Sequence, residues 1–119
     1  LQPGVRAYAE GLYEDMAHKP VADLMEDLFF PVPAFAAFSL IGFPMSDLDK
    51  LKGWCGTRVQ LTYGPLDDAA QVQSARDLID FWDYCRDFVH MRLDHPADDL
   101  TTDLLNLSKQ RGDDLTTED

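Results

Sequence analysis

At 119 residues with 45% hydrophobic content, the chain has the size of about one domain and enough apolar material for a core. Its 22 acidic against 10 basic residues give a formal charge of −12 at pH 7, a field that repels phosphate backbones and anionic lipid and so excludes direct nucleic-acid binding. Two cysteines, Cys55 and Cys85, offer neither the paired spacing of a zinc site nor enough thiols for a disulfide framework, so a reduced, cytoplasmic protein is the default expectation.

In chain order, Val5, Ala9, Leu12 and Met16 recur at spacings of four, three and four, which predicts a first helix ending near His18, Lys19 and Pro20. His18 suits the negative end of that helix, and no nucleophile stands near it to need a general base. The stretch Ala22 to Asp27, with Val21, Leu24 and Leu28 too sparse for a helical stripe, reads as an extended segment or an edge strand. From Leu28 to Met45 the chain is apolar apart from Ser39, glycine and proline, close to the length of a membrane span. Pro31 and Pro33 fit a helix entry and Pro44 lies just past its end, which leaves about Ala34 to Gly42 as the helix-competent run, too short for a bilayer. The second helix, about Pro33 to Ile41, is apolar on almost every side and must be surrounded by protein.

Gly42 is a good residue to end that helix, and Ser46 with Asp49 three residues on forms a variant capping box for a third helix beginning near Asp47. Its stripe is Leu48, Leu51, Cys55, Val59 and Thr62, broken by Gly64-Pro65. Asp67 and Asp68 lead the fourth and longest helix, whose Val72, Ala75, Ile79, Trp82, Cys85 and Val89 recur at steps of three and four as far as about Leu93. Asp98 and Asp99 open a shorter fifth helix with Leu100, Leu104 and Leu107, ended by Gly112. The closing Leu115 to Asp119 reads as a cap followed by helix-starting acids at Thr116. The expected fold is therefore all-α: about five helices, at most one short edge strand, in one unit over residues 1–119. The chain opens on Leu1 without a charged segment ahead of an apolar one, so no secretory signal is expected and it reads as cut from something longer.

Two segments carry a resemblance. Ala22 to Trp54, with its acidic-leucine lead, aromatic-Pro-x-Pro, apolar helix, Leu40-Ile41-Gly42-Phe43-Pro44 and acidic cap, resembles the middle of the bacterial haem-thiolate monooxygenases, the cytochrome P450 family. His95-Pro96-Ala97-Asp98-Asp99-Leu100, followed by Leu104-Leu105 and Gly112-Asp113-Asp114-Leu115-Thr116, resembles the same family's passage from helix G through H towards I. On this likeness the five helices correspond to D, E, F, G and H, nearly all of this chain but about a quarter to a third of a complete member. Ser39 and Phe35 depart from the family, which often has an acidic residue and a basic or polar one there.

The resemblance implies a parent enzyme that uses haem, dioxygen and a ferredoxin-type redox partner to oxidise a small apolar substrate. The family's Gly-rich cysteine loop, Glu-x-x-Arg pair and acidic-Thr motif are not in this sequence. The chain alone is therefore expected to hold no haem, no metal and no activity. Cys55 sits in Gly53-Trp54-Cys55-Gly56 but on an apolar helical stripe and without the family's Phe-x-x-Gly approach, so it reads as a small buried hydrophobe, and Cys85 likewise. The resemblance further implies that about Val59 to Val72 forms a mobile roof over substrate, with Val59, Leu61, Thr62 and Tyr63 as the candidates to face it and Gly64-Pro65 as the hinge; the same residues read equally well as the plain end of a helix and its turn.

The remaining candidates read as structure. His90, Asp94, His95, Asp98 and Asp99 span a helix end, a proline and a helix start rather than converging as metal ligands. Trp54, Phe81, Trp82, Tyr84 and Phe88 fall largely at helical spacings and read as packing. The all-round apolar second helix leads to an expectation that the chain self-associates. The other function class left open is a free-standing acidic helical module that binds another protein.

Overall fold

The computed structural model describes residues 2–112, so the helix start at Thr116 lies outside the described residues. Five α-helices account for most of it: α1 (Gln2–Ala17), α2 (Pro31–Ile41), α3 (Leu48–Tyr63), α4 (Asp68–Asp94) and α5 (Leu100–Arg111). The chain separates into two compact units, with the division after Leu48.

In the first unit, the half-buried face of α1 is Val5, Tyr8, Ala9, Leu12 and Met16, the stripe that the spacing predicts with one aromatic added. Tyr8 stacks flat on Phe35 of α2, ring centroids 4.2 Å apart. The segment expected to be extended turns out otherwise. Asp23 accepts hydrogen bonds from the backbone N–H of Met25 (2.9 Å) and of Glu26 (3.3 Å), and the Asp23 N–H donates to the Asp27 carboxylate. These side-chain bonds cap a π-helical turn at Met25–Phe29 that runs into α2, and no strand forms among the described residues. Lys19 pairs with Asp27 and, with that bond as the largest cause, lowers its pKa from the ordinary 3.8.

Pro31 rather than Pro33 opens α2, since the first helical position has no hydrogen bond to lose. Gly42 closes it in the left-handed region (φ 99°), and the N–H groups of Gly42 and Phe43 both donate to the Phe38 carbonyl at 3.0 Å. Phe43 meets Phe38 edge-on, and both rings are buried. The expected capping box at Ser46 does not form: Met45–Asp47 winds as a 3₁₀ turn from Pro44, and the Ser46 hydroxyl faces Asp47 instead of Asp49.

In the second unit α3 meets α4 through aromatic side chains. Trp54 stacks on Phe81 (5.2 Å) and tilts against Tyr84 (5.4 Å), while the Lys50 ammonium sits 4.7 Å from the Trp54 ring and 5.1 Å from that of Tyr84. The connecting turn is closely bonded. The Gly64 N–H donates to the Gln60 carbonyl (2.7 Å), the Leu66 N–H bridges Pro65 to reach the Gly64 carbonyl (3.0 Å), and the Gln71 side-chain amide donates to the Leu66 carbonyl (3.0 Å). Asp67 then caps α4 by accepting from the Ala70 N–H at 2.8 Å.

The α4–α5 corner is the most deeply buried polar feature. Asp99 caps α5 by accepting from the Thr102 N–H (2.9 Å), Thr102 in turn accepts from the Ala97 N–H (3.0 Å), and Arg92 of α4 pairs with the second Asp99 oxygen. Arg92 also lies over the Phe88 ring at 4.9 Å. Burial pushes the Asp99 carboxyl up, but the Thr102 bonds and the Arg92 guanidinium outweigh it and leave the pKa below the ordinary 3.8.

Two predictions follow from these corners. Asp99→Asn, which keeps the cap but loses the charge, should cost about 1–2 kcal/mol, and Asp99→Ala, which loses both and strands Arg92, about 3 kcal/mol, the order read by thermal unfolding. Because the folded carboxyl titrates below its unfolded value, its contribution is full above pH 3.8 and drains away as pH falls through the lower folded value; the gap between the native chain and Asp99→Asn should close over that window. A Cβ on Gly64 would lie 2.6 Å from the Gln60 carbonyl oxygen, so Gly64→Ala should destabilise by about 1 kcal/mol or more in chemical denaturation, whereas Gly53→Ala, with open space around it, should not destabilise.

Candidate functional site

The residues expected to face substrate occupy the last two turns of α3. Val59 and Tyr63 lie one turn apart on the same face and are 58% and 84% exposed, so both present apolar surface outward. Thr62 is beside them, and its hydroxyl donates to the Arg58 carbonyl at 2.9 Å, which occupies the group locally. Leu61 is half-buried and points away from Val59, two residues and about 200° round the helix. The structure thus brings together Val59, Thr62 and Tyr63 and separates Leu61 from them. A count at 3.6 residues per turn would have drawn the same division from sequence.

The open face continues past the turn. On α4, Val72 (53%), Ile79 (61%) and Trp82 (52%) are exposed, while the face carrying Ser74, Leu78, Phe81, Tyr84 and Phe88 turns inward. On α5, Leu100, Leu104 and Leu107 are all exposed, whereas Thr102 and Ser108 are buried. The periodic stripes predicted as core on these two helices are therefore the faces left open, the Cys85 and Val89 end of α4 excepted.

Both thiols are free and half-buried. Burial raises each pKa above the ordinary thiol value, Arg58 working against it at Cys55 and the neighbouring Cys55 adding to it at Cys85. Both lie in mid-helix among half-buried neighbours, and no chemical step is assigned to either cysteine. Among the described residues no group of three or more His, Cys, Asp or Glu side chains could hold a metal ion. Asp99 is bound up in the α4–α5 corner, in keeping with the reading of the His90–Asp99 run as helix termination and capping. In the first unit a shallow groove along α1, lined by Ala9, Tyr13 and Leu28 with Arg6, Glu10 and Glu14, gathers no convergent polar set, and Arg6 is already paired with Glu10 at 2.9 Å. No described helix is long and apolar enough to cross a membrane.

No protein-family profile matches the chain. Curated relatives do. The chain is 30% identical to the cytochrome P450 monooxygenase PikC of Streptomyces venezuelae over 121 aligned positions, which take in all of this chain and 27% of that protein. It is 24% identical to cytochrome P450 CYP107DY1 of Priestia megaterium over 110 residues, 92% of this chain and 26% of the relative. Among solved structures, cytochrome P450 CREJ superposes with a TM-score of 0.85 at 32% identity, covering 97% of this chain and 29% of that one. The chain spans little more than a quarter of the length of the curated relatives it matches. A likeness in sequence that runs the whole chain, joined to the same helical fold in a solved member, shows that this chain resembles an internal stretch of the cytochrome P450s.

Proposed function

We propose that this chain is one part of a haem-dependent monooxygenase, that residues 1–119 belong to a single cytochrome P450 domain, and that α1 to α5 are its helices D to H. The observation that carries this is the open apolar surface: Val72, Ile79 and Trp82 on α4 and Leu100, Leu104 and Leu107 on α5 have the spacing of core faces but are exposed. A chain covering little more than a quarter of its relatives' length leaves such faces for the remainder of a domain to cover. The haem of the whole enzyme would supply dioxygen activation, with electrons from a ferredoxin-type partner. The substrate would be small and apolar, and the site cytoplasmic, in keeping with two free thiols.

In that enzyme the part played by this chain is binding rather than chemistry. Val59 and Tyr63 supply apolar contact to substrate, while the Thr62 hydroxyl is engaged by its own helix and Leu61 lies on another face. By itself the chain neither binds haem nor turns over substrate. Its uncovered faces drive it to self-associate, against the repulsion of a −12 charge.

Purified from its source without exposure to protease, the protein carrying this sequence should weigh between three and four times 13.5 kDa and show a haem band in its visible spectrum. A haem-free product of 13.5 kDa overturns the reading. In the whole enzyme Val59→Ala and Tyr63→Ala should each weaken substrate binding by about five- to tenfold, and Leu61→Ala, on another face of the helix, should leave binding within about twofold. For the 119-residue chain alone, sedimentation velocity should show a concentration-dependent dimer, more pronounced in high salt where the charge is screened; a monomer at every concentration removes the self-association.

A further inference from the structure

We infer that whatever occupies the Val59–Tyr63 face carries an anionic group as well as an apolar body, and that Arg58 is the residue that meets it. The inference rests on the reading of that face as substrate-facing, and it adds a charged group to the apolar substrate proposed there.

Charge along the chain is the first observation. From Lys50 to Leu66 there are 17 consecutive residues without Asp or Glu, in a chain where 22 of 119 are acidic, and the same stretch carries Lys50, Lys52 and Arg58. With those three cations against Asp49, α3 is the most positive of the five helices and the one that repels an anion least. Two of the three cations are already engaged. Lys52 pairs with Asp49 at 2.9 Å, and Lys50 lies over the Trp54 and Tyr84 rings. Arg58 is exposed and makes no ion pair among the described residues.

Placement on the helix is the second observation. At about 100° per residue, Leu51, Cys55, Arg58 and Thr62 fall within about 60° of one another, and Val59 and Tyr63 continue the same arc. Leu51 is completely buried and Cys55 half-buried, so Arg58 lies on the side that α3 turns inward at its amino end. The Arg58 charge reaches Cys55, where it works against the burial that raises the thiol pKa. A cation thus stands where a core face gives way to the exposed Val59 and Tyr63. Its planar fork matches two oxygens of a carboxylate or a phosphate monoester, and the apolar side chains beside it suit a hydrocarbon body.

Calorimetric titration of the whole protein carrying this sequence tests the inference, with straight-chain carboxylates from hexanoate to dodecanoate, each against the alcohol of equal length. The best carboxylate should bind about tenfold more tightly than its alcohol. Arg58→Gln should weaken that carboxylate by about tenfold and leave the alcohol within about twofold, while Arg58→Lys should keep most of the preference. A native protein that binds no carboxylate more tightly than its alcohol overturns the inference. So does an Arg58→Gln variant that keeps the preference or weakens both ligands equally. Val59→Ala separates this result from the reading beneath it, since it should weaken acid and alcohol alike. If Val59→Ala weakens both and Arg58→Gln changes neither, the anion is lost and the substrate face stands; if neither variant changes any ligand, both fall.

Discussion

Apolar surface in excess of what the chain can cover is the constraint on which the rest of the structure depends. The buried large apolar side chains among the described residues are Phe38, Phe43, Leu48, Leu51 and Phe88. Leu40 on α2, Ile79 and Trp82 on α4 and Leu104 on α5 are each between 47% and 61% exposed. Covering a side chain of that size is worth about 1.5–3 kcal/mol, so a few such faces outweigh every ion pair in the chain. The likeness to proteins more than three times as long and the core-like faces open to solvent agree with each other, one seen in sequence and the other on the surface.

With so little deep core, local order rests on short-range polar bonds. Asp23, Asp67 and Asp99 each accept from the backbone of a helical turn that they begin, and Gly42 and Gly112 end α2 and α5 in the left-handed region. The acidic excess is therefore partly structural. Asp49, Asp68 and Asp103 also occupy first turns, where the positive helix end favours them. Part of the charge of −12 that looks like a uniform repulsive field in the composition is, among the described residues, a set of helix starts.

What could be read from the sequence was whatever depends on neighbours along the chain. Period and punctuation located all five helices, and the α1 stripe proved to be its half-buried face. Residues 22–27 were misread because the deciding interaction is a side chain bonding to backbone, Asp23 with Met25 and Glu26, which hydrophobic spacing does not register. Ser46 failed as a cap for a related reason: Pro44 starts a 3₁₀ turn first and carries Ser46 inside it. The faces of α4 and α5 show a deeper limit. Periodicity reveals that Val72, Ile79 and Trp82 want cover but not whether the cover is within the same 119 residues. Of the four residues expected to face substrate, Leu61 lies on a different helical face from Val59 and Tyr63, a division that the 3.6-residue period already contains.

The two ends of α3 put stability and exposure in opposition within one helix. A stretch that presents Val59 and Tyr63 outward cannot also bury them, so it gives up the contacts that hold Leu51 and Trp54 in place. The Gly64–Asp67 corner that follows is closely bonded by contrast, through Gly64 to Gln60, Leu66 to Gly64, Gln71 to Leu66 and Ala70 to Asp67.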